Sequence, residues 1–176
     1  MIQVAPLAAV RFDHGDIDAF LTEISETLNV SGLRIRGALQ SRGAAGDECH
    51  CADMDLTTLQ SGRTFRISQP LGNGSRGCRL HPGALAECAS FIGAELHAGA
   101  DLLILNRFGR GESEGRGFRD LIGTAINLGV PVLTAVRPTY ADAWTAFGAD
   151  IACDLPMQRA AVLTWAAQAQ EFRHAA

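Results

Sequence analysis

The sequence lacks a basic excess, a long apolar run and a paired cysteine framework, and each lack removes a class of function. Fifteen basic residues stand against nineteen acids, giving a formal net charge of -4 and a pI near 5.7. Surfaces that embrace nucleic acid carry the opposite balance, so no nucleic-acid partner is expected. No apolar stretch approaches the roughly 20 residues that cross a bilayer, and the opening MIQVAPLAAVRFDHG has neither the charged start nor the long apolar centre of a secretory signal. A cytoplasmic protein without membrane insertion is the expectation. Five cysteines, at positions 49, 51, 78, 88 and 153, form an odd and irregular set that suits a reducing compartment rather than a disulfide scaffold. Aromatics are few, at 6% of residues. Trp144, Phe147 and Trp165 fall in the later helical segments, where core packing or a homodimer interface explains them better than stacking on a base.

What is present is a chain of 176 residues, 47% hydrophobic, enough for one domain over residues 1–176 to bury a core unaided. An apolar segment ending in Asp13-His14-Gly15 precedes Ile17, Phe20, Leu21, Ile24 and Leu28 at helical spacing. The following LRIRGALQ predicts a strand at or near a sheet edge, with one wetter face. Residues 41–82 loosen into a hairpin around Ser61-Gly62 and a glycine-rich stretch, read as an insertion over the sheet. Then strand and helix alternate: GALAECASFIGAELHAG, DLLILNRF, GFRDLIGTAINLG, VPVLTAVR, ADAWTAFG, DIACDL and PMQRAAVLTWAAQAQEFR. Parallel strands need crossover connections, so this order predicts a three-layer α/β sandwich around a mostly parallel sheet.

Open sheets of this kind hold ligands beyond the carboxyl ends of their strands. The first such turn reads RFDHGDID. It has no phosphate-loop lysine, and Asp13, Asp16 and Asp18 suit helix capping better than anion binding, which leaves Asp13 and His14 as minor ligand candidates. The stretch DLLILNRFGRGESEGRGFRDLI is different. Gly109, Gly111, Gly115 and Gly117 free the backbone to approach a ligand, while Arg107, Arg110 and Arg116 supply forked donors that match oxyanions. Glu112 and Glu114 either orient those arginines, hold a hard cation or act as acid and base. The charges could equally neutralise one another in a solvated loop. A second basic loop, LGNGSRGCRLHPG, offers Ser75, Arg76 and Arg79, or simply leads into a helix with Pro82 in its first turn. Cys49-His50-Cys51 with Cys78, His81 or Cys88 is a weak metal pattern, because a lone C-x-C has no second pair.

The segments ISQPLGNGSRGCRLHPGAL, DLLILNRFGRGESEGRGFRDLI and VPVLTAVRPTYADAWTAFGAD resemble bacterial domain-of-unknown-function family 2478, which is often encoded beside molybdate ABC-transporter genes. The most specific part is N-R-F-G-x-x-E-x-x-G-x-G-[FL]-R over residues 106–119. That resemblance implies a link to molybdenum uptake or handling, with molybdate or another oxyanion as ligand and molybdate-transport components as partners. More distantly, the layout is similar to P-loop nucleoside-triphosphatases with a degenerate phosphate loop. In that comparison Asn106 and Arg107 stand where an acidic pair is expected, so the magnesium-holding acid is absent as well.

The leading expectation is an accessory protein that binds a small anion or phosphorylated ligand through Asn106, Arg107, Gly109, Arg110, Gly111, Gly115 and Arg116. The alternatives are a divergent nucleoside-triphosphatase or phosphoryl-handling enzyme using Glu112 or Glu114, and a protein-interaction module docking through the arginine loop.

Overall fold

The computed structural model describes residues 4–42, 54–70 and 78–175. Nine strands and six α-helices alternate among them. In chain order they are β1 (Leu7–Arg11), α1 (Ile17–Val30), β2 (Ile35–Arg42), β3 (Met54–Thr58), β4 (Thr64–Arg66), β5 (Ser68–Pro70), β6 (Cys78–Leu80), α2 (Pro82–Ala98) and β7 (Leu102–Leu105). After these come α3 (Arg110–Ser113), α4 (Arg119–Asn127), β8 (Val132–Val136), α5 (Ala141–Gly148), β9 (Ala152–Pro156) and α6 (Arg159–Ala175).

The main sheet has the order β4-β3-β2-β7-β8-β1-β9. Its five strands from β2 to β9 are parallel, and β3 and β4 join as an antiparallel hairpin. The alternation of side chains across a strand splits the core in two. Leu7 and Ala9 face α2, α4 and α5, whereas Ala8 and Val10 face α1 and α6. β7 and β8 carry residues 0 to 1% exposed throughout, because helices cover both faces. The three-layer α/β arrangement is therefore as the sequence pattern predicts. Trp144 and Trp165 are both buried within these cores, so they lend no support to a homodimer interface.

Two expectations change. β2 is an interior strand, third of the seven, since the hairpin over Met54–Thr58 and Thr64–Arg66 continues the sheet past it. That hairpin extends the sheet in its own plane instead of lying over it. The join is tight at Gly37, whose φ is +123° and whose carbonyl accepts the Leu59 N-H at 2.9 Å. A β-carbon there would sit 1.8 Å from the Ile104 carbonyl oxygen, so only glycine fits. The second change is small: the glycine stretch is flanked by β5 and β6, which pair as a separate antiparallel ribbon.

At the amino end of the sheet, Asp101 is a hub. Its carboxylate accepts from the Arg34 backbone N-H at 2.8 Å, from Arg34 Nη2 at 2.9 Å and from Arg173 Nη1 at 2.8 Å. The start of β7, the lead-in to β2 and the end of α6 are thereby tied together. Hydrogen bonding from Arg34, opposed only in part by burial, holds the carboxyl well below the usual range.

At the carboxyl end, β1 runs into α1 on one face and its neighbour β8 runs into α5 on the other. Neighbouring strands whose connections leave in opposite directions open a crevice above the sheet, the general ligand position of open α/β folds.

The Asp101 hub generates a pH prediction. Its depressed folded-state pKa contributes stability that is complete above the unfolded value of about 3.9 and is lost as pH falls through the lower folded value. Asp101→Asn should lower stability at pH 7 by about 2 kcal/mol in urea unfolding, the scale of hydrogen bonds to charged groups. Its deficit against the unmodified protein should shrink as the pH is taken below about 4. An unchanged deficit at pH 7 and pH 3 would show that the charge does not matter.

Candidate functional site

The loop from β7 to α4 is held by one buried carboxylate. Glu112, 7% exposed, accepts the Gly109 N-H at 3.0 Å through one oxygen and the Phe118 N-H at 2.9 Å through the other. Gly109 is the N-cap of α3 and Glu112 its third residue, the spacing of a capping box. G-x-x-E was thus a readable signal for this role. Gly117 is obligatory here, since its φ is +65° and a β-carbon would lie 2.2 Å from Glu112 Oε1. Arg119 adds a bond from Nη1 to the Glu112 carbonyl at 3.3 Å and rests 4.8 Å from the Phe147 ring centroid.

The expected convergence of Arg107, Arg110 and Arg116 is not what the chain adopts. Arg110 Nε bonds Glu114 at 2.8 Å, Arg116 Nη2 bonds the other oxygen of Glu114, and both arginines are largely exposed. Hydrogen bonds from Arg110 and Arg116 hold the Glu114 carboxyl below its ordinary value. Neither Glu112 nor Glu114 is therefore a free acid or base. Gly111 and Gly115 shape the turn, with the Gly111 carbonyl accepting the Arg116 N-H at 2.7 Å and Gly115 at φ +83°. The loop's charges neutralise one another because the partners are two to four residues apart and easily reached.

Arg107 goes elsewhere. Its Nη2 bonds both oxygens of Asp18 at 3.0 and 3.2 Å, and its guanidinium carbon lies 5.7 Å from the Phe12 ring centroid. Arg137, at the end of β8, lies 5.2 Å from the same ring. The sequence reading missed Arg137 because nothing in spacing relates position 137 to position 12. Among the described residues Arg137 makes no ion pair. Arg107 keeps a buried Nε without a partner, and so does the 5% exposed Asn106 with its Oδ1. Asn106 Nδ2 donates to Gln40 Oε1 at 2.8 Å. Phe12, Asn106, Arg107 and Arg137 follow the carboxyl ends of β1, β7 and β8.

The helix start beside them is capped by its own acid. Asp16 caps α1 by accepting the Ala19 N-H at 3.0 Å, Asp18 is spent on Arg107, and the exposed Asp13 meets only the exposed His14 at 3.5 Å. Every basic residue in the chain is an arginine, so no lysine from another segment of it substitutes for the missing one. Arg11 at the end of β1 is paired with Asp154, which also accepts from the buried Trp144.

Cys49, Cys51, Ser75 and Arg76 lie outside the described residues, and Cys78 and Arg79 are placed only as backbone of β6. His81 caps α2 through its ring nitrogen, with Pro82 in the first turn as expected. Burial pushes the Cys88 thiol up to about 12, which makes it a packing residue. No group of three metal-ligating side chains occurs among the described residues. No helix among them is long and apolar enough to cross a membrane.

The two glutamates should separate on mutation. Glu112→Ala strands two main-chain donors in a buried loop and should reduce stability by about 2 kcal/mol. Glu114→Gln should leave the melting temperature unchanged, since exposed ion pairs contribute little. Thermal melts followed by circular dichroism decide, and equal effects would remove Glu112 as the loop's organiser.

The chain is 34% identical over 150 residues to the Molybdenum import ATP-binding protein ModC 2 of Bradyrhizobium diazoefficiens, a match covering 85% of this chain. It spans 17% of that protein's length. In fold it is similar to a human cancer-related nucleoside triphosphatase known from a solution structure, with a TM-score of 0.58 and 13% identity over 85% of this chain and 86% of the other. That likeness places the sheet and its helices in a P-loop-NTPase-like layout. A family model matches residues 7–165, and the chain accordingly belongs to the family described as Protein of unknown function (DUF2478).

Proposed function

We propose that the domain is a binding module, linked to molybdenum handling, that holds a small oxyanion or phosphorylated ligand at the carboxyl end of the sheet between Arg107 and Arg137. The observation that carries this reading is the pair of guanidinium groups resting on Phe12, one of them with no acidic partner among the described residues. A guanidinium fork presents several donors in one plane, the pattern that an oxyanion needs when it sheds water. The Phe12 ring, 5% exposed, supplies a low-dielectric floor on which such a charge pair gains strength. The relative named for molybdenum import supports the choice of molybdate as the first ligand to try.

Binding is preferred to hydrolysis because both carboxylates that could activate water are engaged, Glu112 by main-chain donors and Glu114 by two arginines. Arg110 and Arg116, both paired with Glu114, are a secondary contact at most in this reading.

Isothermal calorimetry with molybdate, tungstate, sulfate, phosphate and ATP tests the proposal. Saturable binding of at least one of these anions is expected, weakened about tenfold, or about 1.4 kcal/mol, by Arg137→Ala. An equal loss in Arg110→Ala would move the site to the Arg110–Arg116 turn, and no saturable heat with any ligand would end the proposal.

A further inference from the structure

The Asp101 hub closes the amino end of the sheet at β2 and β7. Beyond it, where the chain enters β1 and β8, lies a cavity of about 210 Å³. Val130, Pro131 and Ala169 are buried members of its lining, and Pro6, Ile126 and Arg173 stand half-buried around it. Arg173 is the one charged residue of that lining. Pro6 and Pro131 have no N-H to offer, and their carbonyls already accept the Val132 and Leu103 N-H groups at 2.8 and 2.9 Å. The Val130 N-H is likewise committed, to the Ala125 carbonyl at 2.8 Å. Ordered water needs about two to four polar partners, which such a wall does not supply. An apolar body suits it better.

Charge at this end is not balanced. Arg173 Nη1 donates to Asp101 at 2.8 Å, and Arg34 donates to the same carboxylate through Nη2 at 2.9 Å and Nε at 3.1 Å. Among the described residues neither arginine pairs with another acid. Two cations thus share one carboxylate, and one positive charge is left over. Arg173 belongs both to the hub and to the cavity lining, and only its Nη1 is engaged among the described residues. The rest of its fork can meet an oxygen acid.

We infer that the cavity binds a small monocarboxylate with an apolar tail, its carboxylate on Arg173 and its tail against Ile126, Val130 and Ala169. Size and charge both select this class. An apolar cavity of about 150 Å³ is known to take up benzene, so this larger one suits an aliphatic acid of roughly six to eight carbons. A single negative charge matches the one left over, whereas a dianion would leave a net negative charge beside Asp101. The site is independent of the anion reading at the carboxyl end of the sheet.

Calorimetry on the full chain with butyrate, octanoate and 1-octanol, repeated in Arg173→Met, Arg173→Lys and Ile126→Ser, tests the inference. Melting curves check that the variants fold. Each buried methylene is worth about fourfold in affinity, so octanoate should bind at least tenfold tighter than butyrate. It should also bind at least tenfold tighter than 1-octanol. Arg173→Met should abolish the preference for the acid over the alcohol, Arg173→Lys should keep part of it, and Ile126→Ser should weaken octanoate about tenfold. If Arg173→Met does not fold, the comparison of octanoate with 1-octanol on the unmodified chain still decides. Equal binding of butyrate and octanoate, equal binding of octanoate and 1-octanol, or no saturable binding of octanoate would each overturn the inference. So would octanoate binding that neither Arg173→Met nor Ile126→Ser alters. Sedimentation as a dimer that Ile126→Ser turns into a monomer would assign the cavity to a second copy of the chain instead.

Discussion

A strand covered by helices on both faces can carry chemistry only at its ends, and that constraint organises this protein. β7 and β8 are 0 to 1% exposed along their length, and Thr134 is the single polar residue within them. The charged side chains that follow them, Arg107 and Arg137, emerge where the apolar run stops. The amino ends meet the same constraint with a structural answer, the Asp101 hub, whereas the carboxyl ends open into a crevice because β1 and β8 turn to opposite faces. Architecture thus separates a closed, ion-paired end from an end with unspent donors.

Internal carboxylates then decide which cations remain for a ligand. Asp154 takes Arg11, Asp18 takes one edge of Arg107, and Glu114 takes Arg110 and Arg116 together. Glu112 is different, since it neutralises no arginine and instead anchors the main chain at Gly109 and Phe118. Its burial makes the loop a rigid bracket on the core: Phe108 follows β7, donates its N-H to Ala135 and packs 5.4 Å from both Trp144 and Phe147. A loop rich in glycine and charge is here ordered by one carboxylate, and glycine at 117 is the space that carboxylate needs.

The sequence made the layers legible because the buried runs at 102–105 and 132–136 and the helical spacing of Ile17, Leu21, Ile24 and Leu28 are direct consequences of burial on sheet and helix faces. Capping by Asp16 and the start of α2 at Pro82 were equally local and equally readable. Elements of three or four residues, such as β5, β6 and α3, are too short to show a period. The arginine partners were hidden for another reason. Arg107 and Asp18 are 89 positions apart, and only the folded sheet brings Arg137 to Phe12. Local spacing suggested that three neighbouring arginines shared one anion, whereas the shortest available ion pairs, to Glu114, claimed two of them.

Electrostatics also argues where a ligand's charge sits relative to the usual phosphate position of this layout. The start of α1 is occupied by the Asp16 carboxylate, with Asp18 in the same first turn. Two unit charges 4 Å apart repel by about 4 kcal/mol near a protein surface, more than the roughly 0.3 to 1 kcal/mol that a helix terminus offers an anion. A phosphate placed there would have to displace the Asp16 cap, with no lysine in the chain to offset that acid. The balance reverses toward Arg137, which carries a full positive charge and no acid among the described residues. In the proposed binding mode the anion therefore sits away from the helix start, toward Arg137 and β8.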